Sequence, residues 1–442
     1  MIESTTIFSL STGAGMAGIA VIRVSGPKAF QSINLLCAKD VEERYASLRK
    51  IKNSISGEVL DEGLVLKFQA PLTFTGEDIV EFHIHGGQAT ISAVLDALGQ
   101  IDDFRQAEAG EFTRRAFSNG RLDLVEIEGL GDLLHAQTQA QRKQALAQAQ
   151  GASSLVFEKW RRDIISILAY FEASIDFVEE EDVDERAVTH QTEKMIHLRN
   201  EMAGHLNDSA RGTGIRDGVK VVLVGEPNVG KSSILNYLAD REVAIVSEIP
   251  GTTRDAIEVQ LELNGIPVIF TDTAGLRQHT DDLIEKEGIK RTRQKSLEAD
   301  IVLWVIESGQ YFNKLDVVTE GDVIKVINKI DNVDQSLDEI GPALKISVKT
   351  GHGLDTLLRE LSDRVSHLFG GNEPALITRQ RQKETLSHCI GYIDRAIEMD
   401  SQSLELLSEQ IRLAAIELGR LVGRVDVEDL LDVIFNDFCV GK

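Results

Sequence analysis

The stretch "GEPNVGKS" (225–232) fits the spacing G-x-x-x-x-G-K-S. Glycines at its ends let backbone N–H groups close around phosphate oxygens, and a following helix N-terminus adds positive potential. Lys231 suits the β- and γ-phosphates, and the Ser232 hydroxyl suits Mg²⁺. Asn228, Val229, Gly230 and Ser233 complete the set expected to line the phosphates. Three later stretches select the base and complete the site. "VIFTDTAG" ends in Asp272, Thr273, Ala274 and Gly275. Asp272 fits the magnesium shell, and Gly275 lets a backbone N–H approach the γ-phosphate. "VIKVINKID" ends in Asn328, Lys329 and Asp331. A carboxylate at Asp331 accepts two hydrogen bonds from the N1–H and 2-amino edge of guanine, which adenine cannot supply. "KISVKTG" supplies Ser347, Val348 and Lys349 for the loop beside the base. Four motifs in this order predict a GTP-binding site.

Hydrolysis needs a group that orients water, and the position after Gly275 is Leu276 rather than glutamine. Another feature must supply it. "AIVSEIPGTTRD" (244–255) reads as a switch loop, with Thr253 as second Mg²⁺ ligand beside Ser232. Ser247, Glu248, Ile249, Pro250, Gly251 and Thr252 belong to the same loop.

These motifs need strands and helices to hold them. "KVVLV" is a β-branched run before the glycine loop, and "SSILNYLAD" follows as a helix. "IEVQLELNGIPVIFTDT" holds two alternating runs around Asn264-Gly265, a hairpin signal. Residues 217 to about 370 therefore read as one P-loop domain. Residues 1 to about 120 read as α+β. In "EDIVEFHIHGG", Val80, Phe82 and Ile84 share one face while Glu81, His83 and His85 share the other, as the wall of a polar pocket. "HAQTQAQRKQALAQAQ" and "LVFEKWRRDIISILAYFEASIDF" read as helices, and helix returns in "LLSEQIRLAAIELGRLVGRV". Asp426 is expected to cap a last helix. The economical division is 1–120, then 121–215 with 376–442 as one helical domain, and 216–375 inserted into it.

The 442 residues carry a net charge of −24 and only three cysteines, Cys37, Cys389 and Cys439, with no CxxC spacing. A polyanion repels phosphate backbones, so any RNA contact is expected to use a local basic patch or a basic partner. The basic run "KEGIKRTRQK" (286–295) reads as a solvated helix face. No apolar run approaches the ~20 residues that cross a bilayer. The N-terminus lacks the basic residues of a signal or transit peptide, so a cytoplasmic protein without membrane contact is expected. The ending "CVGK" is not a prenylation box, because Gly stands where an aliphatic residue is required. Cys439 is then either an apolar plug or part of a site.

With these residues in hand, the chain resembles the tRNA modification GTPase MnmE (TrmE) family over its whole length. The diagnostic stretches are "FTGEDIVEFHIHGG" (74–87), "GEFTRRAFSNGRLDLVEIEGL" (110–130), "AIVSEIPGTTRD" and the terminal "FCVGK". The resemblance implies a multidomain α/β chain: an N-terminal α+β tetrahydrofolate-binding and dimerisation domain, a discontinuous helical domain, and an inserted Ras-like P-loop G domain. It implies a K⁺-activated GTPase, the ion held by Asn228, Ser247, Ile249 and Thr252, and the water organised by Glu285, with Glu287 as rival. It implies that Arg23, Glu81, Arg121 and Lys442 contact 5-formyl- or methylene-tetrahydrofolate, with Cys439 near the one-carbon unit. Relatives often carry Lys where Arg121 stands. The implied assembly is a homodimer joined by a flavin-dependent MnmG-type protein in a heterotetramer, with tRNA held mainly by that partner. The implied reaction adds a carboxymethylaminomethyl or aminomethyl group at C5 of the wobble uridine. Two other readings remain: a ribosome-assembly switch GTPase of Era or Der type, and a stand-alone folate-dependent transferase.

Overall fold

The computed structural model describes residues 5–13, 15–176, 185–240, 258–272, 297–310, 312, 321–332, 342–371, 373–399, 403–425, 434, 435, 438 and 441. Two compact units divide the chain: residues 1–131, 148–162 and 415–442 in the first, and 132–147 and 163–414 in the second.

In the first unit the chain order is β1 (Thr6–Leu10), β2 (Ala17–Ser25), α1 (Ala29–Cys37), β3 (Ser47–Lys52), β4 (Val59–Phe68), β5 (Ile79–Gly86), α2 (Gln88–Gly99), β6 (Phe104–Gln106) and α3 (Glu111–Ser118). The six strands form one sheet in the order β3-β4-β5-β2-β1-β6. Only the β1–β6 pair is parallel. The alternation in β5 sets its two faces. Val80, Phe82 and Ile84 are buried with Ile22, Val24 and Val65 against residues of α1 and α2. Glu81, His83 and His85 point the other way, as the two-residue period requires. Register places Leu48 opposite Leu64, Leu64 opposite His83, and Ile19 opposite His85. That outer face therefore carries exposed apolar side chains: Ile19, Leu48 and Leu64.

Helix α4 (Leu124–His135) follows. Its start is a reciprocal capping box: the Glu126 N–H donates to Asp123 Oδ1 at 2.9 Å, and the Asp123 N–H to Glu126 Oε2 at 2.8 Å. Ile127 of α4 packs with Phe435 and Phe438 and with Phe117 and Leu122, so the end of the chain is anchored within this unit.

In the second unit, α5 (Gln139–Ala149) opens with a Thr138/Gln141 capping box. Helices α6 (Ala152–Asp176), which belongs to this unit from residue 163 on, α7 (Glu185–Asn207) and α8 (Ser209–Asp217) follow. Next come β7 (Val219–Val224), α9 (Lys231–Ala239), β8 (Glu258–Leu263), β9 (Ile266–Asp272), β10 (Ile301–Glu307), β11 (Asp322–Asn328), β12 (Leu344–Lys345) and α10 (Leu354–Phe369). Helix α11 (Gln380–Glu398) follows, and α12 (Leu404–Leu421), which passes into the first unit at residue 415, completes the described elements. Here too six strands form a sheet, in the order β12-β11-β10-β7-β9-β8, parallel except for the β8–β9 hairpin. The hairpin turns at Asn264 and Gly265, both with positive φ, as the Asn-Gly pair predicted. Strand β7 is central, and its run of valines and leucine is buried on both faces, which explains why it reads as continuous rather than alternating. Arg199 on α7 donates to Asp394 on α11 at 2.8 Å, joining the helices before and after the sheet. Within the described residues no helix is long and apolar enough to cross a membrane.

Candidate functional site

The motif residues gather at the carboxyl ends of β7, β9, β11 and β12, where an open parallel sheet leaves a crevice. The glycine loop joins β7 to α9. Gly225 has φ +155, and a Cβ there would lie 2.1 Å from the Val305 carbonyl oxygen. Gly230 has φ +97, and a Cβ there would lie 2.2 Å from Asn328 Nδ2. Both glycines are therefore required by close approach as well as by conformation. Asn228, with φ 64, takes the left-handed conformation that asparagine tolerates better than most residues.

Lys231 is buried at the start of α9, and its ammonium donates to the carbonyls of Gly225 and Glu226, both at 2.8 Å. The Ser232 hydroxyl donates to Asp272 Oδ2 at 2.6 Å. Two hard oxygen ligands from different elements thus meet, the donor set that Mg²⁺ takes beside phosphate. Asn328, also buried, donates through Nδ2 to the Val229 carbonyl at 2.8 Å and accepts from the Val348 N–H through Oδ1 at 3.4 Å. One amide side chain therefore ties the glycine loop to the loop after β12. The sequence placed Asn328 in the base-reading motif but gave no signal of this bridge.

Asp331 lies on the short 3-10 turn Ile330–Asn332. The Ser347 hydroxyl donates to its Oδ1 at 2.6 Å, and Lys349 Nζ stands 3.7 Å from Oδ2. The Ser347 hydrogen bond, aided by Lys349, holds the Asp331 carboxyl below its usual range despite opposing desolvation. It stays an acceptor for paired N–H donors. Lys329, with φ 61, pairs with Glu307 at 3.1 Å, a partner the motif reading missed. Ser233 follows Ser232 in α9. Residues Ser247, Glu248, Ile249, Pro250, Gly251, Thr252, Thr253, Thr273, Ala274, Gly275, Glu285 and Glu287 lie outside the described residues.

A second group sits on the outer face of the first unit's sheet. Arg23 and Glu81 are register partners on β2 and β5. Both Nε and Nη2 of Arg23 donate to Glu81 Oε1 at 3.0 Å, and His83 Nε2 lies 3.3 Å from Glu81 Oε2. The Arg23 guanidinium stands 5.2 Å from the Phe74 ring centroid and 5.8 Å from that of Phe112. A half-buried ion pair beside the partly exposed Phe74 ring offers a flat surface, guanidinium donors and carboxylate acceptors together, with the buried Phe112 ring on the core side. That donor set fits a planar amino-pyrimidine bearing a carboxylate tail. Arg121 stands apart from this pair and donates from Nε to the Thr73 carbonyl at 3.1 Å, on the loop that carries Phe74. His85 is engaged with Asp61 at 2.8 Å. Among the described residues no three His, Cys, Asp or Glu side chains converge as a metal site.

A second ionic cluster of this unit centres on the buried Arg115. Arg115 donates to Glu77 at 3.1 Å and to Glu111 at 3.0 Å, and Arg105 donates to both oxygens of Glu111 at 2.7 and 2.8 Å. The chain's end reaches this unit: the Ser11 hydroxyl donates to the Gly441 carbonyl at 3.0 Å, and a Cβ on Gly441 would lie 2.0 Å from the Leu10 carbonyl oxygen. Cys439 and Lys442 are outside the described residues, as are Asp426 and the run 286–295.

A glycine loop between the central strand and a helix, an Asp on the next parallel strand, and an Asn-Lys-x-Asp turn beside a serine loop define a Ras-like G domain, inserted here into a multidomain α/β chain. The family description "MnmE helical domain" matches residues 124–439, and "GTP-binding protein TrmE N-terminus" matches residues 6–121. The tRNA modification GTPase MnmE of Parvibaculum lavamentivorans is 46% identical over 441 residues, covering 99% of this chain and 100% of that protein. The protein of the same name from Rhodospirillum rubrum is 46% identical over 456 residues, covering 99% of each. The chain belongs to the family of tRNA modification GTPases MnmE. Among solved structures, the G domain of the T. maritima FeoB iron transporter is 26% identical, covering 34% of this chain and 98% of that one, with a TM-score of 0.24.

Proposed function

We propose that this chain is a GTPase of tRNA modification that works with a flavin-dependent partner of the MnmG type. Together they add a carboxymethylaminomethyl or aminomethyl group at C5 of the wobble uridine, using a tetrahydrofolate one-carbon unit. The observation that carries this reading is the presence, in one chain of this family, of a guanine-nucleotide crevice and of the Arg23–Glu81 pair beside Phe74 and Phe112.

In the crevice, Lys231 releases the loop carbonyls to meet the β- and γ-phosphates. Ser232 and Thr253 hold Mg²⁺, with Asp272 in its shell, and Asp331 takes the guanine edge. Asn228, Ser247, Ile249 and Thr252 hold K⁺, which offsets charge developing between the β- and γ-phosphates. Glu285 orients the water. The remaining residues of the loops named above surround the nucleotide. In the first unit, Arg23, Glu81, Arg121 and Lys442 hold the folate, which supplies the one-carbon unit when bound. Gly441 is seated against β1, in the unit that carries Arg23 and Glu81.

The domains are 1–120 for folate and dimerisation, 121–215 with 376–442 as the helical domain, and 216–375 as the G domain. The exposed apolar row Ile19, Leu48 and Leu64 beside the Arg23–Glu81 pair supports a homodimer that covers this face. The partner completes a heterotetramer and holds most of the tRNA, consistent with the net charge of −24. The protein works in the cytoplasm.

A folate titration and a turnover comparison test the reading. Saturable heat is expected when 5-formyltetrahydrofolate is added to the wild type, and its loss with Glu81→Gln. GTP turnover is expected to be faster in KCl than in NaCl at equal ionic strength. No folate binding, or equal turnover in the two salts, contradicts the corresponding half of the proposal.

A further inference from the structure

The nucleotide-binding sheet is joined to the rest of its unit by two chain connections, and the same few residues hold both. Asp132, near the end of α4, accepts a hydrogen bond at 3.0 Å from Arg216 Nε, one residue before the end of α8, which leads into β7. The same oxygen accepts at 2.7 Å from Arg379 Nη2, the residue just before α11 on the way out. The Asp132 side chain is 15% exposed, so this is a shared, largely desolvated carboxylate.

Helix α5 lies beside them. Gln141 Nε2 donates to the Arg216 carbonyl and Gln144 Nε2 to the Gly212 carbonyl, each at 3.0 Å. The spacing of three residues puts both amides on one helix face. The two connections also pack without room for a methyl group. A Cβ on Gly212 would lie 2.0 Å from the Ile377 carbonyl oxygen, and one on Gly214 would lie 2.3 Å from the Phe369 ring.

The amino end of α5 reaches the sheet itself. The Ala140 N–H donates to the Gly265 carbonyl at 3.1 Å, at the tip of the β8–β9 hairpin, and Ala140 packs against the core under the sheet. Asn264, beside it in the turn, donates to Ser366 of α10 at 2.8 Å. From that tip β9 runs seven residues, about 23 Å at ~3.3 Å each, to Asp272, which bonds Ser232. One rigid strand thus links the magnesium-type pair to α5, and α5 with Asp132 grips both connections.

We propose that α5 and Asp132 form the coupling element that relays nucleotide state from the Ser232–Asp272 pair, through β9 and the Gly265 tip, to the helices flanking the G domain. This rests on the reading that nucleotide turnover serves tRNA modification. A ligand at the sheet shifts α5 only through a difference in contact between its two states. The Ala140–Gly265 bond and the shared carboxylate are those contacts. The hydrogen bonds described here for Asp132, Arg216, Arg379 and Ala140 go to one another, to α5 or to the hairpin tip, outside the nucleotide motifs, so the element can be cut at residues other than those of the GTP site.

The test is hydrogen exchange of the full-length protein with GDP and with a non-hydrolysable GTP analogue, following peptides over residues 139–149. Wild type is expected to show exchange in α5 that differs at least about threefold between the two nucleotides. Asp132→Asn, which keeps the shape, should abolish that difference. Ala140→Pro removes the single N–H donor at a first-turn position that tolerates proline, and should do the same. Both variants should turn over GTP within about twofold of wild type. In cells both should yield at least about fivefold less C5-modified wobble uridine. Identical α5 exchange in the two nucleotide states of wild type overturns the proposal. So does undiminished modification by the variants, or loss of GTP turnover in parallel with modification. If Asp132→Asn does not fold, Ala140→Pro decides alone. Failure of wild type itself to support modification would instead refute the proposed function, and the exchange comparison would still judge the coupling.

Discussion

Replacing Gly230 by alanine separates two physical costs that the structure assigns to this position. The first is conformational. At φ +97 an L-residue is strained, by about 1–2 kcal/mol. The second is steric. The new methyl would lie 2.2 Å from Asn328 Nδ2, so the amide must move and its 2.8 Å bond to the Val229 carbonyl must break. A buried polar group left without its partner costs about 1–3 kcal/mol. The sum is about 2–5 kcal/mol, or roughly 30- to several-thousand-fold if it falls on the nucleotide-competent state. Gly309 supplies the control. Its φ is +91, but nothing lies within 4 Å of an added Cβ, so alanine there incurs only the conformational part. Titration of a fluorescent GDP into both variants, with thermal unfolding of each, reads the division. Gly230→Ala is expected to lose at least about tenfold more affinity than Gly309→Ala, or to show the larger fall in Tm. Equal behaviour of the two would refute the argument that the Asn328 bridge holds the glycine loop.

Asp331→Asn replaces a pure acceptor with an amide whose donor faces the guanine donors, so GDP affinity should fall roughly a hundredfold or more while a xanthine nucleotide gains; competition binding checks this. In wild type the Asp331 carboxyl is held below its ordinary range, so its contribution is fully present at neutral pH and is lost only as pH falls through the lowered value. GDP affinity that declines between pH 7 and about pH 5 through this group would contradict that ordering. Arg115→Met removes the buried cation shared by Glu77 and Glu111; Glu111 keeps Arg105 and Glu77 keeps the Ser25 hydroxyl, so the loss should stay below the roughly 3–5 kcal/mol of a fully orphaned buried charge, and differential scanning calorimetry should show it in the first unit. For Glu111, burial raises the carboxyl, but the hydrogen bonds from Arg105, the Glu108 N–H and Arg115 outweigh it and lower the value. That stabilisation is present above the ordinary glutamate pKa and disappears as pH falls through the lowered one, so the same unit should lose stability only in acid. Burial pushes the Cys37 thiol up to about 11, and Cys389 is fully enclosed. Alkylation of the native protein at mildly alkaline pH should therefore spare both; labelling of either before unfolding would contradict the packing described.

Local signals made the G domain legible. "GEPNVGKS" is continuous in sequence, its strand and helix flank it, and Asn264-Gly265 declares the hairpin at the point where two alternating runs meet. The two faces of β5 were readable for the same reason, since a period of two needs no distant partner. What stayed hidden depends on residues far apart. Asp132 meets Arg216 across 84 positions and Arg379 across 247, and neither arginine stands in a motif. Arg115 and Glu77 are separated by 38 residues, and the cation–aromatic contact of Arg23 with Phe74 needs the whole loop between β4 and β5 to be placed. Lys329 was assigned from its motif, but its Glu307 partner comes from the adjacent parallel strand, a pairing that only the sheet order creates. Charge and side-chain type told which groups could do chemistry; strand order decided which of them meet.

The central claim is that this chain serves modification of the tRNA wobble uridine. Mass spectrometry of nucleosides from tRNA of cells lacking the chain, with and without wild-type rescue, tests it most directly. The account predicts that the C5-substituted wobble uridine disappears on deletion and returns with the wild type. An unchanged nucleoside profile after deletion would contradict it.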